Sequence, residues 1–117
     1  MPAPELDVLV RAVRIAVEET HAEYAQMPFF VRPMVRRGFV KRTGHDLAAW
    51  VRLLDAAARG IDSPELGAAL AQLAGHYDTA PERAKRGMGA RPEELREVVR
   101  RSEARATAVR ALAAALR

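Results

Sequence analysis

The chain has 117 residues, half of them hydrophobic but only 5% aromatic, with no cysteine and a net charge of +4. That length makes one domain, able to bury somewhat under ~70% of its unfolded surface. The missing cysteines exclude disulfides, thiolate nucleophiles and Cys-built zinc or iron–sulfur sites. Alanine dominates, which favours helices packed through small side chains over a sheet of β-branched residues, so the expected class is an all-α, compact bundle of four longer helices plus one short basic helix, a single domain over 1–117. No apolar run approaches the ~20 residues of a membrane span, and the opening MPAPELD lacks the cations and apolar core of a secretory signal. A cytoplasmic protein is expected.

Charge is banded along the chain. Residues 1–27 carry 2 cations and 5 acids, 28–42 carry 5 and 0, 43–78 carry 2 and 5, and 79–117 carry 10 and 5. The basic bands either pair with the acidic ones inside the bundle or converge on an outside anion. Both alternatives are open at the level of sequence.

In chain order, Pro4-Glu5-Leu6-Asp7 starts a first helix, with acids near the positive end of its dipole, and Leu6, Leu9, Val10, Val13, Val17, Thr20 and Tyr24 form its apolar stripe. Pro28 ends it near Gln26. Next comes the least ordinary stretch, Met27 to Arg42 (MPFFVRPMVRRGFVKR), with all three Phe and five cations but no acid. Pro33 starts a short helix there. In the functional reading Phe29 and Phe30 are a paired aromatic anchor, and Arg32, Arg36, Arg37, Lys41 and Arg42 form a positive surface for an anionic partner. In the plain reading the same residues are a turn entering the core followed by a solvated basic helix.

Thr43 is expected to cap a third helix with Asp46 as its reciprocal partner, Leu47, Trp50, Val51, Leu54 and Ala58 as its face, and Gly60 at its left-handed end. Asp62-Ser63-Pro64-Glu65 starts a fourth, carrying Leu66, Ala69, Leu70, Leu73 and Tyr77. The pattern lapses after Gly75, and 78–91 is expected to be a flexible linker with one helical turn after Pro81. Pro92 opens a long final helix whose Leu95, Val99, Ser102, Ala106, Val109, Ala113 and Leu116 make a heptad-like seam, suited to the chain's own bundle or to a homodimer through 92–116. The expected core is Leu9, Val13, Val17, Trp50, Leu54, Leu70, Leu73, Val99 and Val109.

Signals for chemistry are few. Glu18-x-x-His21 has the spacing of carboxylate di-iron bundles but lacks the second copy such a site needs, and His45-Asp46 reads as a helix cap. With no phosphate loop, nucleophile elbow or base–nucleophile pair, no catalytic residue, metal or cofactor is expected.

Met27-Pro28-Phe29-Phe30-Val31-Arg32, followed by Val35-Arg36-Arg37, resembles the small helical domain that ends one of the subunits of light-independent protochlorophyllide reductase, the PCP-reductase-like domain. In that family a hydrophobic residue precedes Pro-x-Phe-Val-Arg and a basic helix follows, whereas here Gly38-Phe39-Val40-Lys41 replaces a polar run containing Thr-Glu. The resemblance implies a helical accessory module near a tetrapyrrole or a partner subunit, without catalysis by this chain. From the residues alone, the expected function is a protein-interaction or accessory module with a basic working surface. The alternative is a nucleic-acid-binding protein or small subunit of a nucleoprotein complex, with Phe29, Phe30 or Trp50 stacking an unpaired base.

Overall fold

The computed structural model describes residues 5–61, 63–88 and 91–116. Among them run six helices and no strand: α1 (Leu6–Ala25), α2 (Arg32–Thr43), α3 (Leu47–Ala58), α4 (Pro64–Asp78), α5 (Ala80–Met88) and α6 (Pro92–Ala115). The all-α bundle is as the sequence predicts, with one helix more.

Helix α4 lies at the centre, packed on α6, α2 and α5, while α1 closes the bundle against α3, α6 and α2. Its stripe is mostly large, with Leu66, Leu70, Leu73 and Tyr77 buried. Facing it, α6 contributes Ala106, Val109 and Leu112, where small side chains let two helices approach closely. The seam of α6 is therefore largely spent on the chain's own core. Val99, expected in that core, is instead 36% exposed, and Leu116 is exposed at the far end. Leu9 is only partly buried beside the core.

Two glycines end helices in the left-handed region that side chains resist, Gly44 after α2 (φ 82°) and Gly60 after α3 (φ 77°). The cap before α3 differs from expectation. Asp46 is the N-cap, its carboxylate accepting from the Ala49 N–H at 2.8 Å. Thr43 belongs to the last turn of α2, where its fully buried hydroxyl accepts from Trp50 Nε1 at 3.1 Å and donates to the His45 carbonyl at 3.1 Å. A helix-start signal in the sequence is thus a buried polar pin between α2 and α3.

Within the expected linker, residues 80–88 form a helix, while 89–90 lie outside the described residues. Thr79 caps α4 by donating to the Gly75 carbonyl, and α5 begins one residue later, with Pro81 in its first turn, where no N–H is needed.

Trp50 is fully buried, so Trp50→Ala is expected to cost about 3–5 kcal/mol. Thr43→Val, which strands the indole N–H, is expected to cost about 1–3 kcal/mol. Urea denaturation of both variants checks the pin.

Candidate functional site

The turn from Met27 to Val31 is closed by the Val31 N–H on the Pro28 carbonyl at 2.9 Å, and it turns both phenylalanines outward. Phe29 is 78% and Phe30 70% exposed, edge to face with centroids 5.9 Å apart, so neither ring enters the core, although Met27 at the start of the turn packs against it. Met34, one turn into α2, is exposed beside them in sequence. The residue that anchors α2 is Phe39, fully buried with its ring edge-on to His21 (4.6 Å) and His76 (5.0 Å).

The five cations of this stretch separate into two groups. Arg36, Arg37 and Lys41 are exposed, and no described carboxylate pairs with any of them. Arg32 is half-buried, its Nε donating to the Met27 carbonyl at 2.8 Å, which braces the turn. Arg42 points inward: its Nε donates to His76 Nδ1 at 3.0 Å. It is not part of the outer basic surface.

The acidic bands find their partners elsewhere. Glu23 takes Arg105 through both oxygens (3.1 and 2.6 Å) and Arg101 at 3.1 Å, Asp55 takes Arg14 at 2.6 Å, and Asp78 takes Arg110. Internal pairing thus absorbs much of the charge of α6 and leaves the cations of α2 unmatched.

Behind α2 a groove of about 660 Å³ opens between the end of α1, α5 and the middle of α6. Apolar groups from the turn and α2 (Met27, Val31, Val35) face Ala80, Ala84 and Val98 across it. Arg42, Arg83, Arg101 and Arg105 line it with His76, and Glu23 is its one carboxylate among the described residues. Gly38 also lines the groove. A Cβ there would come within 3.0–3.3 Å of the Arg42 guanidinium, so the glycine leaves room for that group to lie against α2. A larger concavity of about 870 Å³, between α4 and the end of α6, has Arg110 as its cation, and Asp78 already holds it. The charged groove is the chemically distinctive one.

At its floor, His76 Nδ1 faces two cations: Arg42 at 3.0 Å and Arg83, whose Nη2 is 3.3 Å away while also donating to the His76 carbonyl at 2.7 Å. An atom flanked by two guanidinium donors must be the lone-pair nitrogen, so the proton sits on Nε2 and the ring is neutral. Burial first, then the charges of Arg83, Arg42, His21 and Arg105, hold its pKa down to about 3. Desolvation also lowers His21 and Arg83, the latter helped by Arg42. Nearby, Thr20 donates to the Ala16 carbonyl at 2.7 Å and contacts the Tyr77 hydroxyl at 2.8 Å, and burial pushes that hydroxyl up to about 12.

No described cluster of His, Asp and Glu could hold a metal, and Glu18 and His21 do not form one. Sequence reasoning missed His76, Arg83 and Arg105, which lie on three separate helices (α4, α5 and α6) and come together only in the folded bundle, so no local pattern marks them. No family model matches the chain, and no curated protein or solved structure matches it.

His76 titrates near 6.5 when unfolded and near 3 when folded, so between those values the unfolded chain binds more protons and folding weakens as the pH falls. His76→Asn, which keeps a neutral acceptor, is expected to lose less stability than the parent between pH 7 and 4.5. Urea midpoints across that range check it; parallel pH profiles would contradict the neutral-ring assignment.

Proposed function

We propose that the chain is a small helical protein-interaction or accessory module whose working surface is the Met27–Val31 turn and the outer face of α2, and that its partner is an acidic protein surface. The observation that supports this reading most is an exposed aromatic pair, Phe29 and Phe30, next in the chain to Arg36, Arg37 and Lys41, for which the fold supplies no described carboxylate. Aromatic anchors beside arginines are enriched where binding energy concentrates, and unmatched rim cations raise the encounter rate with an acidic partner. A place beside a tetrapyrrole-bearing subunit, which the resemblance implies, would use the same face. Self-association through 92–116 would have to rest on Val99 and Leu116, since the rest of that seam is largely buried.

Exposure of the two phenylalanines also favours a second reading, in which they stack bases of a single-stranded nucleic acid whose phosphates meet the same cations. Salt and nuclease separate the two. Affinity for a single strand held by three or four phosphate contacts falls roughly 20- to 50-fold between 50 and 200 mM salt, whereas a protein partner anchored by Phe29 and Phe30 responds less and survives nuclease.

Replacing Arg36, Arg37 and Lys41 together by Ala is expected to weaken partner capture at least about tenfold while changing stability by under ~1 kcal/mol, because exposed charges contribute little to folding. Phe29→Ala with Phe30→Ala should have the same signature. Capture from the native host with and without nuclease, beside urea denaturation, measures both; unfolding of the triple variant would sink the working-surface reading.

A further inference from the structure

The groove behind α2 has a charge imbalance of its own. Glu23, its one described carboxylate, is fully engaged by Arg101 and Arg105. Arg42 and Arg83 are left half-buried with no described acid, and the imidazole between them is neutral. Of the Arg42 guanidinium only Nε bonds a described residue, so its two terminal nitrogens remain as an unused donor fork beside Gly38. Partly dehydrated cations without counter-ions are costly, and a bound anion relieves that cost.

The remaining walls are aliphatic, and the volume of about 660 Å³ falls within the range typical of small-molecule sites, roughly 300–1,000 Å³. A polyanion would pair with exposed rows of charge, whereas these half-buried cations line a concavity walled by aliphatic groups, which suits a single charged head with an apolar tail. We propose that the groove is a binding site for a small amphiphile, its single carboxylate or phosphate head on the Arg42 fork beside Arg83 and its alkyl chain along Val31, Val35, Ala84 and Val98. Arg–carboxylate and Arg–phosphate forks share this geometry, so the structure assigns the head by charge and shape rather than by element. This site shares Val31 with the turn of the proposed working surface but uses neither its phenylalanines nor Arg36, Arg37 and Lys41, and it does not rest on the partner proposed for that surface.

Calorimetric titration of the full chain with decanoate and decyl phosphate, below their micelle concentrations, tests the site and tells the two heads apart. At least one should bind with one-to-one stoichiometry, and decanol, decyltrimethylammonium and acetate should each bind about tenfold more weakly or not at all. Arg42→Gln should lower affinity for the anion by about tenfold or more, the loss of a charge-assisted pair. Ala84→Phe, which narrows the groove without removing a cation, should lower it as well and covers the case in which Arg42→Gln fails to fold. The triple Ala replacement of Arg36, Arg37 and Lys41 should leave the affinity unchanged. Absence of binding by both anions, equal binding of decanol, or unchanged affinity in a folded Arg42→Gln or in Ala84→Phe would overturn the proposal.

Discussion

The contact between α4 and α6 governs both the core and the distribution of charge. Leu70, Leu73 and Tyr77 meet a face of α6 where Ala106 leaves room between Ser102 and Val109, and the burial of these groups supplies the main driving force for assembly. Once α6 lies there, its arginines at 101, 105 and 110 fall beside Glu23 at the end of α1 and Asp78 at the end of α4. Arg105 also places its guanidinium carbon 6.0 Å from the centre of the Tyr77 ring, so one side chain is braced by an ion pair and an aromatic face. Glu23, the acid in the groove behind α2, is thereby committed to α6.

Helix α2 then serves two environments at once. Phe39, Thr43 and Arg42 point into the protein, where the first two are fully buried, while Arg36, Arg37 and Lys41 stay in water. A helical period of 3.6 makes that division automatic, since residues three or four apart share a face. What is unusual is that the inward face carries a cation whose acceptor is a neutral ring. His76 can play that part because its carbonyl and Nδ1 both accept, giving Arg83 and Arg42 hydrogen bonds without charge neutralisation. The positive charge at the groove floor is thus hydrogen-bonded but not compensated.

Much of the helical architecture was legible in the sequence because its signals are local. Pro28 ends α1, Gly60 ends α3 and Pro92 opens α6 through backbone rules that need no tertiary context. The candidate site was legible only in part. The exposed pair Phe29–Phe30 and the cations 36, 37 and 41 could be named, but Arg42 could not be told from its neighbours, since its inward direction depends on a groove built by four other helices. Thr43 was misread because its sequence context spells a cap, while its hydroxyl is taken by an indole seven residues on. Helix α5 escaped for a different reason. The residues with which it lines the groove, Ala80, Arg83, Ala84 and Gly87, follow an i, i+3, i+4, i+7 pattern, yet none is a large hydrophobe, so a search for apolar stripes reads the segment as a linker.

That composition also explains why a groove exists at all. A helix facing α6 through leucines would fill the space with its own side chains, as α4 does elsewhere in the bundle. Alanine and glycine on α5, with Gly38 on α2, bring the backbones into place while leaving the volume between them unfilled. Arg42 and Arg83 occupy only its floor, their stems covering apolar surface and their charged ends reaching the polar atoms of His76. The alanine richness that makes this chain helical is therefore also what opens a cleft beside its unmatched charge, and the two properties meet on the inner side of the one helix that has no acid of its own.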